Sequence, residues 1–394
     1  MDNFYTRTPE GRRDRLFSEC RSRRQAQSVI TSLFKGRGYS EIITPEVEYY
    51  DLFVKSGNPI PQESLMKIID RSGKILVMRP DCTTPIARVA ATRLANSPLP
   101  QRLYYNETIF RSDALHEGRE SEIQQCGIEL IGAPGLRGDF EVIAMAIDTL
   151  EASGLGDFHI ELGHSGFFRS LATGLGAGDD DLAKIHRLIE LKNYAGLGDL
   201  LDGYGDSDLV RALKRIPLLF GEVDVLDEAR ELAVGRSEAV YALDYLAEIY
   251  TELTASGRGH RLRFDLGLIN GLDYYTGVVF RGYAHGAGQH VLAGGRYDNL
   301  VGVFGKNLAG AGFAVYVDTL ASCLPPAVLP KCETVIHYER GKLATAVELL
   351  DTLENGTAEL SPYNSEDESM GLARAKGARR LIVITAQGTR EVEA

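Results

Sequence analysis

The chain of 394 residues has no run of eighteen or more apolar residues, so no segment reads as a membrane-spanning helix. Its first fifteen residues are polar and basic and lack the apolar stretch of a secretory signal. A cytoplasmic location is the expectation. The chain also lacks a basic surplus: 43 Lys and Arg stand against 55 Asp and Glu, for a formal net charge of −12. Proteins that grip a nucleic-acid backbone usually carry the opposite balance, so nucleic acid is not expected as a main ligand. The five cysteines (Cys20, Cys82, Cys126, Cys323, Cys332) never form a CxxC pair and read as reduced, mostly core thiols. The eight histidines show no ligand-like spacing. No metal site and no cofactor is implied, and no internal repeat is evident.

What is present is an ordered alternation of elements. Residues 12–36 carry Ala26, Val29, Ile30, Leu33 and Phe34 at helical spacing, and Gly36 and Gly38 stop the helix. A short strand, Tyr39–Thr44, ends at Pro45. Leu76–Arg79 reads as a strand end, followed by a helix with Thr83 or Thr84 as cap and Pro85 in its first turn. Strands near 101–111 and 123–132 flank the polar loop Ser112–Glu122, which holds His116. Asp139 reads as the cap of another helix that Gly154 ends, and Phe158–Leu162 alternates as a strand. Residues 167–257 are helical in pattern and read as an inserted block. The sheet resumes at Arg261–Leu268, with Thr276–Tyr283 as its expected hairpin partner, and Gly310–Leu320 reads as a strand entering a helix. Pro325, Pro326 and Pro330 form a linker. The tail, 331–394, reads as a small α/β domain of strand–helix–strand–helix–strand pattern.

Several of these stretches together carry a resemblance. The helix–strand–proline unit ending Ile43-Thr44-Pro45 is similar to the first motif of class II aminoacyl-tRNA synthetases. Gln101-Arg102-Leu103-Tyr104-Tyr105, Phe110-Arg111 and Gln125-Cys126-Gly127-Ile128-Glu129 resemble the second. Gly271-Leu272-Asp273-Tyr274-Tyr275 and Gly294-Gly295-Arg296-Tyr297-Asp298 resemble stretches specific to histidyl-tRNA synthetases. The resemblance covers residues 1–325. It implies an α+β fold: an antiparallel sheet flanked by helices, with the helical insertion at 167–257.

The departures point away from catalysis. An arginine precedes the Gly-Leu-Asp-Tyr-Tyr stretch in the synthetases; here that residue is Asn270. The arginine closing the third motif is replaced by Thr319 in Gly312–Leu320, and a usual glycine there is Tyr316, whose ring would intrude on the adenine position. In the second motif the acid two residues after Arg111 is Asp113, and a basic loop residue is replaced by Ser121. Adenylate formation passes through a crowded, highly negative phosphorus centre that fixed cations stabilise. Losing one such donor costs about 10²–10³ in rate, so two losses should abolish useful turnover even without additivity.

The amino-acid half is kept. By resemblance, histidine is held by Asp81 and Thr83 after Arg79-Pro80, and by Arg111, Gln125, Glu129, Tyr274 and Tyr275. Carboxylates suit the ligand's amine or a ring N–H, Arg111 its carboxylate, and the hydroxyls and amide its ring. Asp81-Cys82, the segment Pro85-Ile86-Ala87-Arg88 and the shortened tail resemble the branch that serves as regulatory subunit of ATP phosphoribosyltransferase. That branch implies a homodimer through the first motif within a hetero-oligomer, a short-form catalytic subunit as partner, and L-histidine as feedback effector of the first step of histidine biosynthesis. The alternatives are an active histidyl-tRNA synthetase and an RNA-binding or other regulatory paralogue with no link to histidine biosynthesis.

Plainer roles stand beside these. Tyr274 and Tyr275 suit strand packing, Arg111 a surface charge, Glu129 a structural arginine, and Asp81 the cap of the helix at Thr84. Gly294 and Gly295 suit a tight turn, and Arg21-Ser22-Arg23-Arg24 an exposed helix face or a partner contact.

Overall fold

The computed structural model describes residues 4–57, 60–112, 120–269, 274–353 and 357–394. The chain divides into two compact units, Met1–Pro326 and Ala327–Ala394.

In the first unit, the helix Phe17–Gly36 buries Ala26, Ile30 and Phe34 on one face. The helical period predicts that face, although the helix begins at Phe17 rather than near residue 12. The strands follow as β1 (Ser40–Glu41), β2 (Val47–Tyr49), β3 (Lys67–Ile69), β4 (Ile75–Met78), β5 (Gln101–Phe110), β6 (Glu122–Ile131), β7 (Phe158–His164), β8 (Phe220–Gly221), β9 (Leu262–Asp265), β10 (Val278–Ala284), β11 (Leu292–Arg296) and β12 (Gly310–Tyr316). They build a nine-stranded sheet of order β1-β5-β6-β12-β11-β10-β7-β9-β8 and a small sheet β2-β4-β3. The run from β5 to β7 is antiparallel throughout, with β1 and β9 added in parallel. One face of the large sheet packs on the helices Phe17–Gly36 and Leu136–Ala152 and on the insertion. Tyr104, Ile128, Leu162, Phe280 and Phe313 lie in that core, whose packing fixes the floor of the cleft on the other face.

Three expectations are corrected. Strands β9 and β10 are not a hairpin: β7 lies between them, parallel to β9 and antiparallel to β10. Adjacency in sequence does not carry over to the sheet, because β7 pairs along both of them. Asp139 is not a helix cap, because Gly135 holds that position. Asp139 lies buried in the first turn and accepts from Arg296 Nε at 2.8 Å and from Tyr245 Oη at 2.7 Å. Residues Tyr39–Thr44 form only the two-residue strand β1, since buried Thr44 turns inward to Glu107. The insertion is helical from Ser165–Gly174 to Ser237–Ala255, with β8 as a short strand inside it.

The second unit is a four-stranded sheet of order β14-β13-β15-β16, with β13 at Thr334–Tyr338, β14 at Ala358–Leu360, β15 at Arg380–Thr385 and β16 at Gly388–Glu393. The helices Leu343–Thr352 and Glu366–Lys376 make the crossovers. Ser365 caps the second helix by accepting from Glu368 N, and the acidic turn Glu366-Asp367-Glu368 follows it, where carboxylates suit the helix dipole. The hairpin strand β16, exposed and charged, carries little apolar signal in the sequence.

Candidate ligand-binding site

The walls of the cleft are set by buried ion pairs. Arg79 donates through Nε to Thr108 O at 2.8 Å and through Nη1 to Thr44 O at 2.7 Å, and lies 2.9 Å from Glu107. This braces the end of β4 against β5 and fixes where Pro80 and Asp81 emerge. Arg296 pairs with Asp139 and with Asp298 and reaches the carbonyls of Ala133 and Gly135. It anchors β11 beneath the cavity. Both arginines belong to motifs singled out by the sequence, and both position the site rather than enter it.

Asp81, Thr83, Arg111, Gln125, Glu129, Tyr274 and Tyr275 all line one cavity of about 120 Å³. An apolar cavity of about 150 Å³ admits one benzene ring, and this partly open one is on the scale of a single aromatic side chain. Two of the plainer readings are decided by the geometry. Asp81 helps cap the helix Thr83–Ala91, accepting from Thr84 N at 2.7 Å, although Cys82 rather than Thr83 or Thr84 holds the cap position, and it lines the cavity as well. Among the described residues Glu129 has no arginine partner: its carboxylate accepts from Thr83 Oγ1 at 2.6 Å and from Tyr297 Oη.

Glu129 is 1% exposed. Desolvation pushes its carboxyl up to about 8, against the opposing pull of the two hydroxyls, and the negative charge of Asp81 adds to the rise. Near neutral pH the site therefore holds a carboxyl that an incoming cation would ionise. Arg111 donates through Nε to Pro80 O at 2.8 Å and lines the mouth. Tyr274 and Tyr275 stand edge to face with ring centroids 4.9 Å apart, and Tyr274 lies 6.0 Å from the Tyr297 ring, so aromatic surface covers one side.

Glycines 294 and 295 lie within β11 rather than in a turn. A Cβ at Gly295 would stand 2.6 Å from the Tyr275 ring, so the strand needs glycine to let that ring close over it. Gly312 in β12 does the same for Glu129: a Cβ there would collide with its carboxylate and with the Ile128 carbonyl. Sequence reasoning assigned no role to Tyr297, Tyr105, Cys82 or Gly312, all of which line the cavity. For Tyr297 a signal existed, since a buried tyrosine hydroxyl normally finds a partner.

Toward the mouth the chemistry changes. Tyr316 lines the cavity, and its ring meets His290 edge to face at 5.0 Å. The Thr319 hydroxyl accepts from Gln289 Nε2 at 3.0 Å. Ser121 donates its backbone N–H to Gly11 O at 2.7 Å. Asn270, Gly271, Leu272, Asp273, Asp113 and His116 lie outside the described residues. Among the described residues no cluster of His, Cys, Asp and Glu is arranged to hold a metal, and no helix is long and apolar enough to cross a membrane.

A sequence model described as histidyl-tRNA synthetase matches residues 11–320. The chain belongs to the histidyl-tRNA synthetase family. Within it, the chain is 37% identical to an ATP phosphoribosyltransferase regulatory subunit of Clostridium novyi (strain NT), over 98% of this chain and 93% of that one. It is 35% identical to the protein of the same description from Bacillus cereus (strain G9842), over 95% and 90%. A solved structure described as an ATP phosphoribosyltransferase regulatory subunit/histidyl-tRNA synthetase from Bacillus halodurans C matches with a TM-score of 0.88 and 28% identity, covering 98% of this chain and all of that one. The fold of the histidyl-tRNA synthetase family accounts for the antiparallel floor of the cleft, and the chain falls with the regulatory-subunit branch of that family.

Proposed function

We propose that this chain is a non-catalytic regulatory subunit of ATP phosphoribosyltransferase, binding histidine in the cavity around Glu129 and coupling that binding to a separate short-form catalytic subunit, a glycosyltransferase. The carrying observation is a contrast between the cavity and the third-motif segment that follows Tyr316. Seven side chains suited to histidine surround a cavity of side-chain size, while the third-motif arginine position is a threonine engaged by Gln289. In this pose Glu129 and Asp81 face the ligand's cationic nitrogens, Arg111 its carboxylate, and the tyrosine rings its imidazole. Feedback then requires the liganded chain to favour an inhibited arrangement of the partner, with a coupling typically of about 1–3 kcal/mol.

Self-association as a homodimer belongs to the same reading. It is supported by the exposed apolar side chains Val47, Tyr49 and Ile68, which the register places on one face of the β2-β4-β3 sheet, where exposed apolar surface can mark an interface. A cytoplasmic setting follows from the same role.

The test is an assay of the short-form transferase with and without this chain. Activation by the chain, reversed by histidine and not by leucine, is the expected result. Histidine-dependent exchange of pyrophosphate into ATP by the chain alone would overturn the proposal in favour of a synthetase.

A further inference from the structure

Pairing between β7 and β10 ends at His164 and Val278, and beyond that pair β7 continues as a helix rather than as sheet. The helix is Ser165–Gly174, the first of the insertion. The chain entering β10 opposite it includes Tyr274 and Tyr275 of the cavity. Backbone carbonyls at this point need donors, and the helix supplies them. Ser165 donates to Gly277 O through its N–H at 3.0 Å and through its hydroxyl at 3.1 Å. One turn on, on the same face, Arg169 Nη2 donates to Tyr275 O at 3.1 Å. A donor that carries charge makes the stronger kind of hydrogen bond.

The helix that makes these contacts is itself held in place. His164 caps it by accepting from Gly166 N at 3.1 Å. Burial, helped by the charge of Arg169, holds the His164 imidazole down to about 4, so it stays a neutral acceptor near neutral pH. Phe167, Phe168 and Leu171 are fully buried on the core side. Arg236, at the start of the insertion's last helix, donates to Ser170 O at 3.3 Å, in space that Gly174 leaves open. On the other side of the tyrosine, Thr276 N donates to Arg296 O at 2.8 Å, and the Tyr275 ring closes over Gly295. Tyr275 therefore lies between two supports, its ring against β11 and its carbonyl bonded to the insertion.

We infer that the first helix of the insertion sets the position of the Tyr275 ring in the ligand cavity, with Arg169 as the positioning residue. The inference rests on the functional reading above. Arg169 is not among the side chains that line the cavity; it acts through the Tyr275 backbone. All seven side chains assigned to histidine lie outside the insertion, so this contact gives the insertion a part in ligand affinity that none of them supplies. Recognition tolerates displacements of only about 0.5 Å, and a ring whose carbonyl has lost its donor is free to move further than that.

The test is calorimetric binding of histidine to the full chain, for the wild type, Arg169→Met, Arg169→Lys and Arg211→Met. Arg211 is the control: its ion pairs, to Asp206 and Asp208, stay within the insertion. Arg169→Met removes a charged donor, so affinity should fall about 10-fold. Arg169→Lys keeps the charge and a donor and should recover most of the loss, while Arg211→Met should bind as the wild type does. Two readouts separate positioning from a general loosening of the cavity. Histidinol, which lacks the carboxylate, should lose affinity by the same factor, because Tyr275 faces the ring. The rise of affinity with pH expected from ionisation of Glu129 should keep its slope. Should Arg169→Met fail to fold in a thermal melt, Ser165→Ala, which keeps the N–H bond to Gly277, reads the same effect at about 3-fold. Unchanged affinity in Arg169→Met or its substitute overturns the inference and leaves the functional reading in place. So does a loss that lysine does not reduce, that Arg211→Met shares or that flattens the pH slope. A wild-type chain that binds no histidine removes the functional reading itself, and the role of Arg169 with it.

Discussion

The cavity around Glu129, the deep half, and the segment that leads from Tyr316 into the helix Val317–Ser322, the outer half, differ in what their side chains are free to do. In the deep half, Glu129, Thr83 and Tyr297 form a buried hydrogen-bonded set around a carboxyl raised to about 8. In the outer half, Thr319 is engaged by Gln289 and Tyr316 packs on His290. A buried acid held near neutrality by desolvation is an investment in a cation to come. A neutral hydroxyl bonded to an exposed amide offers a triphosphate nothing comparable. On the proposed reading, one scaffold keeps recognition of an amino acid and gives up the electrostatics of adenylate formation.

The largest expected effect comes from filling the space that lets Glu129 into the sheet. Gly312→Ala places a methyl group against the Glu129 carboxylate and the Ile128 carbonyl. Overpacking of this kind costs about 1–3 kcal/mol, so the melting temperature should fall and the histidine-induced thermal shift should vanish. A variant that melts and binds as the wild type would show that the fit around Glu129 is loose.

Next comes the charge itself. Glu129→Gln keeps the shape and removes the ionisable group. A charged hydrogen bond is worth about 1.5–3 kcal/mol, so histidine affinity by calorimetry should fall by roughly 10- to 100-fold. Stability should move the other way at high pH. The Glu129 carboxyl is raised in the folded chain, so between its unfolded value and about 8 the folded state binds more protons, and stability from this group falls as pH rises through that window. The Gln variant should lose this part of the slope. The same wild-type slope in the Gln variant would place the titration elsewhere.

A smaller effect is linkage to the ligand. A cationic ligand lowers the Glu129 carboxyl from about 8, so binding at neutral pH should release up to one proton. Affinity should rise with pH until near 8, by at most tenfold per unit. Calorimetry in buffers of differing ionisation enthalpy measures it, and proton uptake on binding would contradict the assignment.

The smallest belongs to the outer half. Thr319→Ala removes only the hydroxyl that Gln289 reaches. Exposed substitutions usually stay within about 0.5 kcal/mol, so histidine affinity should change by no more than about twofold. A large loss here would erase the distinction between the halves.

Local patterns made much of this legible. The period of Ala26, Ile30 and Phe34 marks the buried face of the first helix, and the strands read near 101–111 and 123–132 mark the central hairpin, found at 101–110 and 122–131. The motif residues Asp81, Thr83, Arg111, Gln125, Glu129, Tyr274 and Tyr275 were named by resemblance, and the fold brings them to one cavity. What escaped was pairwise. Asp139 has the spacing of a cap, and only the arrival of Arg296, 157 residues later, makes it a buried ion-pair partner. Strands β9 and β10 follow one another in sequence, yet β7 separates them, because register is set by which apolar faces meet.

By itself the sequence determined the family, the strand and helix segments, and the loss of the third-motif cation, since these are written in residue type and short-range spacing. The tertiary structure alone decided that Glu129 is paired with the hydroxyls of Thr83 and Tyr297, and that Gly312 leaves the space that admits it. Desolvation and close approach depend on what distant segments bring to the same place, and no local pattern encodes that.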